Sequence, residues 1–244
     1  MTLFDKFLRI RELGIFSIIV VFVIVASIID PRFMTFDSWR AVFLAIPLIL
    51  VMAMGQMMVI ICRHVDISIG SILAFSAIVI GLLFIQFPGL SLWLSLLISA
   101  FVGLIMGLIN GVIVTRFNVH SIIVTLGTLS LYRGLVFIVS GGRQIDRNDI
   151  PEHVVSFSQT SFLFSIPGIL IFSAIIVIVS HLVMRHTVLG REIYATGSNP
   201  VAAHLKGINV TKVTLFCFGV CGMLAGVAGL FYASRFGYVN PGVT

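Results

Sequence analysis

The sequence predicts an all-α fold of the membrane kind, a polytopic bundle of about seven transmembrane helices with a cytoplasmic N-terminus. Three observations carry this. Of the 244 residues, 59% are hydrophobic and only 10% charged, against about 25% charged in soluble domains. The uncharged stretches come in lengths near the ~20 residues that cross the hydrocarbon of a bilayer. The 15 Lys and Arg stand mostly at the ends of those stretches, where a membrane topology puts them. A net charge of +6 would suit nucleic acid only if the basic residues gathered on one face or stripe. They do not, so no nucleic acid is expected, and the lipid bilayer is the expected surrounding.

The elements follow in order as one transmembrane domain over residues 1–244. Lys6, Arg9 and Arg11 precede the uncharged stretch 13–29. No small-residue cleavage site follows, so it reads as an uncleaved first span rather than a signal peptide. Residues 41–62 hold no charge and form the second span. Residues 67–115 hold none either and form two spans, broken at Gln86-Phe87-Pro88-Gly89, since Pro and Gly mark turns. Residues 117–142 are apolar apart from Arg133, residues 154–184 contribute one span from Phe162 onward, and residues 213–234 complete the set.

With the N-terminus inside, nine Lys and Arg fall in cytoplasmic segments and five in external ones, the expected bias. The loop 185–212 decides it, with Arg185, Arg191, Lys206 and Lys212 against Glu192. Within this loop Asn199 suits an N-cap and Pro200 the first helical position. Val201 to Leu205 continue the turn, Lys206 favours the last turn, and Gly207 suits a left-handed stop. A helix of about seven residues is too short to stand alone in water, so it must rest against something. As the largest cytoplasmic segment, and a basic one, it reads as a docking surface.

Gly103, Gly107 and Gly111 recur every four residues, as do Gly222 and Gly226, and Ala225 and Gly229. Small residues so spaced let helices approach closely in lipid, which argues for a compact bundle. Cys217 and Cys221 read as small packing residues rather than metal ligands, since a metal site needs more thiolate or imidazole partners.

Charges inside apolar regions are costly and need a reason. Asp66 and Arg133 are the two candidates for a pathway or gate. The stretch 62–70 reads either as a tight cytoplasmic turn or as a broken helix lining a cavity. In the turn, Asp66 would cap the next helix with Ser68 beside it or pair with Arg63. Arg133 would snorkel, pair with an acid or face a polar pathway. Absent motifs matter as well. No G-x-x-x-x-G-K-[ST] and no H-E-x-x-H occurs, so neither a phosphate-binding loop nor a zinc protease is indicated. Scarce acids within the spans disfavour an ion-coupled carrier. No cofactor and no catalytic constellation is expected.

Three stretches resemble a known family. Val65-Asp66-Ile67-Ser68-Ile69-Gly70-Ser71 is similar to the I-D-[LV]-S-V-G-S stretch of ribose-type ABC importer permeases. Ile123-Val124-Thr125-Leu126-Gly127-Thr128-Leu129 with Tyr132-Arg133-Gly134 resembles their [IV]-V-T-L-G-T-L…Y-R-G. Gly190 to Asn199, then Ala202-Ala203 and Gly207-Ile208, resembles their G-R…Y-A-T-G-x-N…A-A…G-I loop. Asn110-Gly111 also fits. The resemblance covers nearly the whole chain and looks nearest to permeases for autoinducer-2 or rhamnose. It implies a membrane subunit that moves a sugar-like solute across the bacterial inner membrane without chemical change. It further implies a second permease subunit, cytoplasmic ATP-binding subunits and a periplasmic solute-binding protein. A coupling helix is implied within 191–207, where Arg191, Asn199, Pro200, Ala202, Ala203, Lys206 and Gly207 carry the pattern. Family members continue past residue 244, so a C-terminally shortened permease is expected, one that inserts but fails to support uptake. The competing reading is a stand-alone channel or secondary solute carrier.

Overall fold

The computed structural model describes residues 11–159, 161–163 and 166–242; Lys6 and Arg9 lie outside them. The chain divides into two compact units, residues 1–45 and 46–244. In the first, helix α1 (Arg11–Ile29) carries the apolar stretch Leu13–Ile29, and Asp30 caps a short 3-10 turn by accepting from the Arg32 amide. Edge-on rings of Phe22, Phe33 and Trp39 pack within this unit.

Helix α2 (Phe36–Ile61) runs from the first unit into the second. There follow α3 (Ile69–Gln86), α4 (Leu92–Phe117) and α5 (Ser121–Ser140), the short α6 (Glu152–Gln159), and α7 (Gly168–His186). Two short helices, α8 (Val188–Ser198) and α9 (Pro200–Leu205), precede the long α10 (Val210–Phe236). Six of these, α2 to α5, α7 and α10, are long and apolar enough to cross a membrane. With the shorter α1 this is about the seven spans expected. The span expected to begin at Phe162 starts later, at Gly168, because residues 161–167 hold a small antiparallel pair, β1 (Ser161–Leu163) with β2 (Ile166–Pro167).

Turn chemistry places the other breaks where the sequence puts them. Ser91 caps α4 by accepting from the Leu94 amide, and Asn118 (φ 51) and Gly141 (φ 59) end α4 and α5 in the left-handed region. Consecutive helices therefore alternate in direction. One end of the second unit gathers the connections 62–68, 118–120 and 187–209. The other gathers 87–91 and 141–151, where Ile145 pairs with Val239, and His153 just beyond meets the Leu90 carbonyl.

Helix α10 is the axis of this unit. It packs chiefly on α4 and α3, and 78% of its apolar window is buried against 28% for α4, α5 and α7. The glycine spacing explains the approach. A Cβ on Gly103 would fall on the Gly222 carbonyl oxygen, and one on Gly107 on the Phe218 carbonyl oxygen. The two backbones therefore cross in contact, with dispersion between small residues replacing the hydrophobic drive that lipid does not supply. Outward faces of α4, α5 and α7 expose Leu97, Phe101, Ile123, Leu131, Ile138 and Ile178, apolar surface turned away from this unit's own core.

Candidate functional site: a buried polar break and the helix pair beside it

Between α2 and α3 the chain leaves helical geometry for seven residues. The Arg63 and His64 amides close the end of α2 on the carbonyls of Ile60 and Val59, and Arg63 turns the backbone at φ 64. Asp66 then shapes the entry to α3. Its Oδ1 accepts from the Ser68 amide at 2.9 Å and from the Ser68 hydroxyl at 2.6 Å. This is the local turn that an Asx side chain forms readily, and it places Ser68 at the N-cap of α3.

Other helices supply the rest of the partners. Asn110 of α4 donates from Nδ2 to the Ser68 hydroxyl at 2.8 Å and to Asp66 Oδ2 at 3.3 Å. The Tyr132 hydroxyl of α5 donates to the Met106 carbonyl at 2.9 Å and meets Asn110 Oδ1 at 3.3 Å. Val65 donates its amide to the Ser121 hydroxyl, and the Thr125 hydroxyl reaches its carbonyl. Asp66, Ser68, Asn110 and Tyr132 are all buried, none above 2% exposed. Irregular backbone is tolerated in such surroundings only when its polar groups are satisfied by protein, and here the Arg63, His64, Val65 and Ser68 amides and the Val65 carbonyl are. Burial raises the Asp66 carboxyl pKa, opposed by the hydrogen bonds from Ser68 and Asn110.

The pairing of Asp66 with Arg63 does not form. The Arg63 guanidinium reaches away and donates to the Ser198 carbonyl at 2.7 Å. The reason is geometric: the left-handed turn at Arg63 carries its side chain to the C-terminal end of α8, where unpaired carbonyls attract a cation. The only ion pair among the described residues is Arg147 with Glu152, at the other end of the unit.

Helix α8 rests on this same turn. A Cβ on Gly197 would fall on the Ile61 carbonyl oxygen, so only glycine allows the approach. Ile193 and Thr196 point inward and are buried. Thr187 caps α8 by accepting from the Gly190 amide. Helix α9 forms as its residues predict. Asn199 Oδ1 accepts from the Ala202 amide at 3.0 Å, Pro200 takes the first position, and Gly207 stops the helix at φ 85. Lys206 is the C-cap. Arg191 and Ala202 are exposed, whereas Ala203 is 3% exposed and faces the bundle. Val201 and Leu205 form the outer side of α9, at 71% and 82% exposed.

Arg133 stands apart from this cluster. It is exposed on α5, next to the buried Tyr132, and no described acid pairs with it. Gly127, Ser130 and Gly134 share the exposed side of α5 with it. Cys217 packs its sulfur 3.5 Å from that of Cys62, and no group of three potential metal ligands occurs among the described residues.

Asn110 and Tyr132 stand in stretches that carry the family resemblance, but the sequence reading did not join them to Asp66. The available signal was a lone carboxamide inside the uncharged run 67–115. An amide buried at such a place needs a partner, but chain order does not say which.

These features define a class: a multi-pass α-helical protein of the membrane-spanning kind, its polar interior tied within the chain and a helix pair displayed at one end. The chain belongs to the family described as the branched-chain amino acid transport system / permease component, which matches residues 39–244. It is 32% identical over 213 residues to the autoinducer 2 import system permease protein LsrC of Yersinia enterocolitica, covering 87% of this chain and 58% of that protein. It is 31% identical, again over 213 residues, to the LsrC protein of Yersinia pseudotuberculosis, covering 87% and 59%. The chain thus spans less than two thirds of the length of these relatives. No solved structure matches it significantly.

Proposed function

We propose that the chain acts as a membrane subunit of an ABC importer for a sugar-like solute of the autoinducer-2, rhamnose or ribose class, and that α8 and α9 dock on the ATP-binding subunits. One observation carries the docking reading. The helix pair is held from within by Ile193, Thr196, Gly197 and Ala203, while Tyr194, Val201 and Leu205 are turned outward. A segment of this kind, anchored inside and presenting Tyr194, Val201 and Leu205 among the exposed Arg191, His204 and Lys206, is suited to receive a partner and transmit its movement to Arg63 and the break beyond it.

Arg133 supports a second permease subunit in the same reading. A guanidinium facing lipid is costly, by at least ~2.5 kcal/mol near the bilayer centre. The exposed side of α5 bearing Gly127, Ser130, Arg133 and Gly134 is better suited to a polar path between two permease subunits than to lipid. A periplasmic solute-binding protein would deliver the solute to that path. Asp66, sealed by Ser68 and Asn110, serves as the fixed point of the break rather than as part of the path.

The test is co-purification of the chain with its ATP-binding subunits. Val201→Asp with Leu205→Asp should leave insertion intact and reduce association at least tenfold. Equal association of that variant would sink the assignment, and solute uptake in cells lacking those subunits would favour a stand-alone carrier. Orientation is checked with Asn148→Cys. The native cysteines are buried, so a membrane-impermeant thiol reagent should label position 148 from the periplasm. Labelling only after the inner membrane is opened would reverse the topology.

A further inference from the structure

The first unit holds an open groove of about 420 Å³ between the second half of α1 and the 3-10 turn that follows it. One wall is a single stripe of α1. Phe22, Val25, Ala26 and Ile29 stand three or four positions apart, the spacing of one helix face. Phe33 and Ser38 contribute to the other wall. Ala26 is the small member of the stripe and leaves room between its larger neighbours.

The polar end makes the groove specific. Asp30 and Arg32 are its only charged lining residues. They have opposite sign, yet they form no ion pair with each other. Asp30 Oδ1 accepts instead from the Arg32 main-chain amide at 2.9 Å. The second carboxylate oxygen and the guanidinium are left without a partner among the described residues. Both residues lie just past Ile29, where the apolar stretch of α1 ends, the level at which lipid headgroups begin. Trp39, whose ring meets that of Phe33 edge-on, suits the same level.

The groove thus offers about 10 Å of apolar helix face, closed at one end by an anion and a cation. A zwitterionic phospholipid is its complement, with an acyl chain for the stripe, a phosphate for the guanidinium and an ammonium for the carboxylate. An anionic headgroup would set its charge against Asp30. A purely hydrocarbon partner would leave both charges unmatched.

We propose that this groove binds one phospholipid of the phosphatidylethanolamine type, its acyl chain along Phe22, Val25, Ala26 and Ile29, its phosphate on Arg32 and its ammonium on Asp30. Both polar contacts are charge-assisted hydrogen bonds. A quaternary ammonium has no N–H and cannot make the second. The site lies wholly within residues 22–38 and is independent of the importer reading.

The experiment uses the full chain, titrated in micelles with phosphatidylethanolamine, phosphatidylcholine or phosphatidylglycerol of one acyl composition, with bound lipid counted by native mass spectrometry. One phosphatidylethanolamine per chain should bind at least about fivefold more tightly than either other lipid. Arg32→Gln should weaken it about tenfold, the loss of one charge-assisted hydrogen bond. Asp30→Asn keeps an acceptor for the Arg32 amide, so the turn survives, and should erase the preference over phosphatidylcholine. Ala26→Leu fills the groove and should remove the tight site for every headgroup. Equal binding of the three lipids by the parent chain, a preference untouched by Asp30→Asn and Arg32→Gln, or tight binding retained in Ala26→Leu would overturn the proposal. So would efficient disulfide pairing of Ala26→Cys chains in phosphatidylethanolamine vesicles, which would give the groove to a second copy of the chain.

Discussion

The break at 62–68 and the helix pair 188–205 touch each other, yet they treat their side chains in opposite ways. In the break, Asp66, Ser68, Asn110 and Tyr132 are buried and bonded to one another. In the helix pair, large apolar side chains such as Tyr194, Val201 and Leu205 stand exposed. The first region is closed by partners from two other helices of its own chain, α4 and α5. The second is fixed only on its inner side. The contrast separates what the chain completes alone from what it offers outward, and Arg63 and Gly197 are where the two meet.

Breaking the joint itself should have the largest effect. Gly197→Val places a side chain against the Ile61 carbonyl, and forcing backbone apart in a packed region costs about 3 kcal/mol. A lower melting temperature and faster proteolysis within 188–207 are expected. A variant as stable and as protected as the parent would show that the two regions are not mechanically joined.

Next in size is the sealed cluster. Asn110→Leu strips Ser68 and Asp66 of a donor and Tyr132 of an acceptor. Leaving buried polar groups unpaired costs about 1–3 kcal/mol, read as a loss of thermal stability in micelles. Tyr132→Phe should cost less, about 1 kcal/mol, since the Met106 carbonyl it leaves is still helical. If Tyr132→Phe proved more damaging than Asn110→Leu, the tyrosine rather than the amide would be the centre of the cluster.

The smallest effect on stability belongs to the outer face. Leu205→Asp should change the melting temperature little, within about 0.5 kcal/mol, as exposed positions do. A large loss of stability would mean that Leu205 is part of this chain's own packing, and the contrast between the two regions would fail.

Much of this was readable in advance from local chemistry. The helix at 200–205 follows from an N-cap, a proline and a glycine at fixed offsets, and the chain breaks at Pro88 and Gly89 as such residues require. The glycines at 103, 107, 222 and 226 announced a close crossing. The partner of Asp66 was less legible. Arg63 is three residues away and of opposite charge, but a left-handed turn sends it to Ser198 instead. Of the residues implied for the coupling helix, Ala203 faces inward while Ala202 beside it is exposed, a rotation of α9 that the sequence does not set.

The sequence by itself determined the membrane setting, the approximate span count and the positions of turns and caps. Each of these depends on hydrophobic runs or on residues within a few positions of one another. Only the tertiary structure decided that Asn110 and Tyr132 complete the break, that α10 is the buried axis, and that Gly197 seats α8 on the turn after α2. Those facts depend on which faces of distant helices meet. In an apolar chain nearly every face is hydrophobic, so no periodicity distinguishes the side that meets lipid from the side that meets protein.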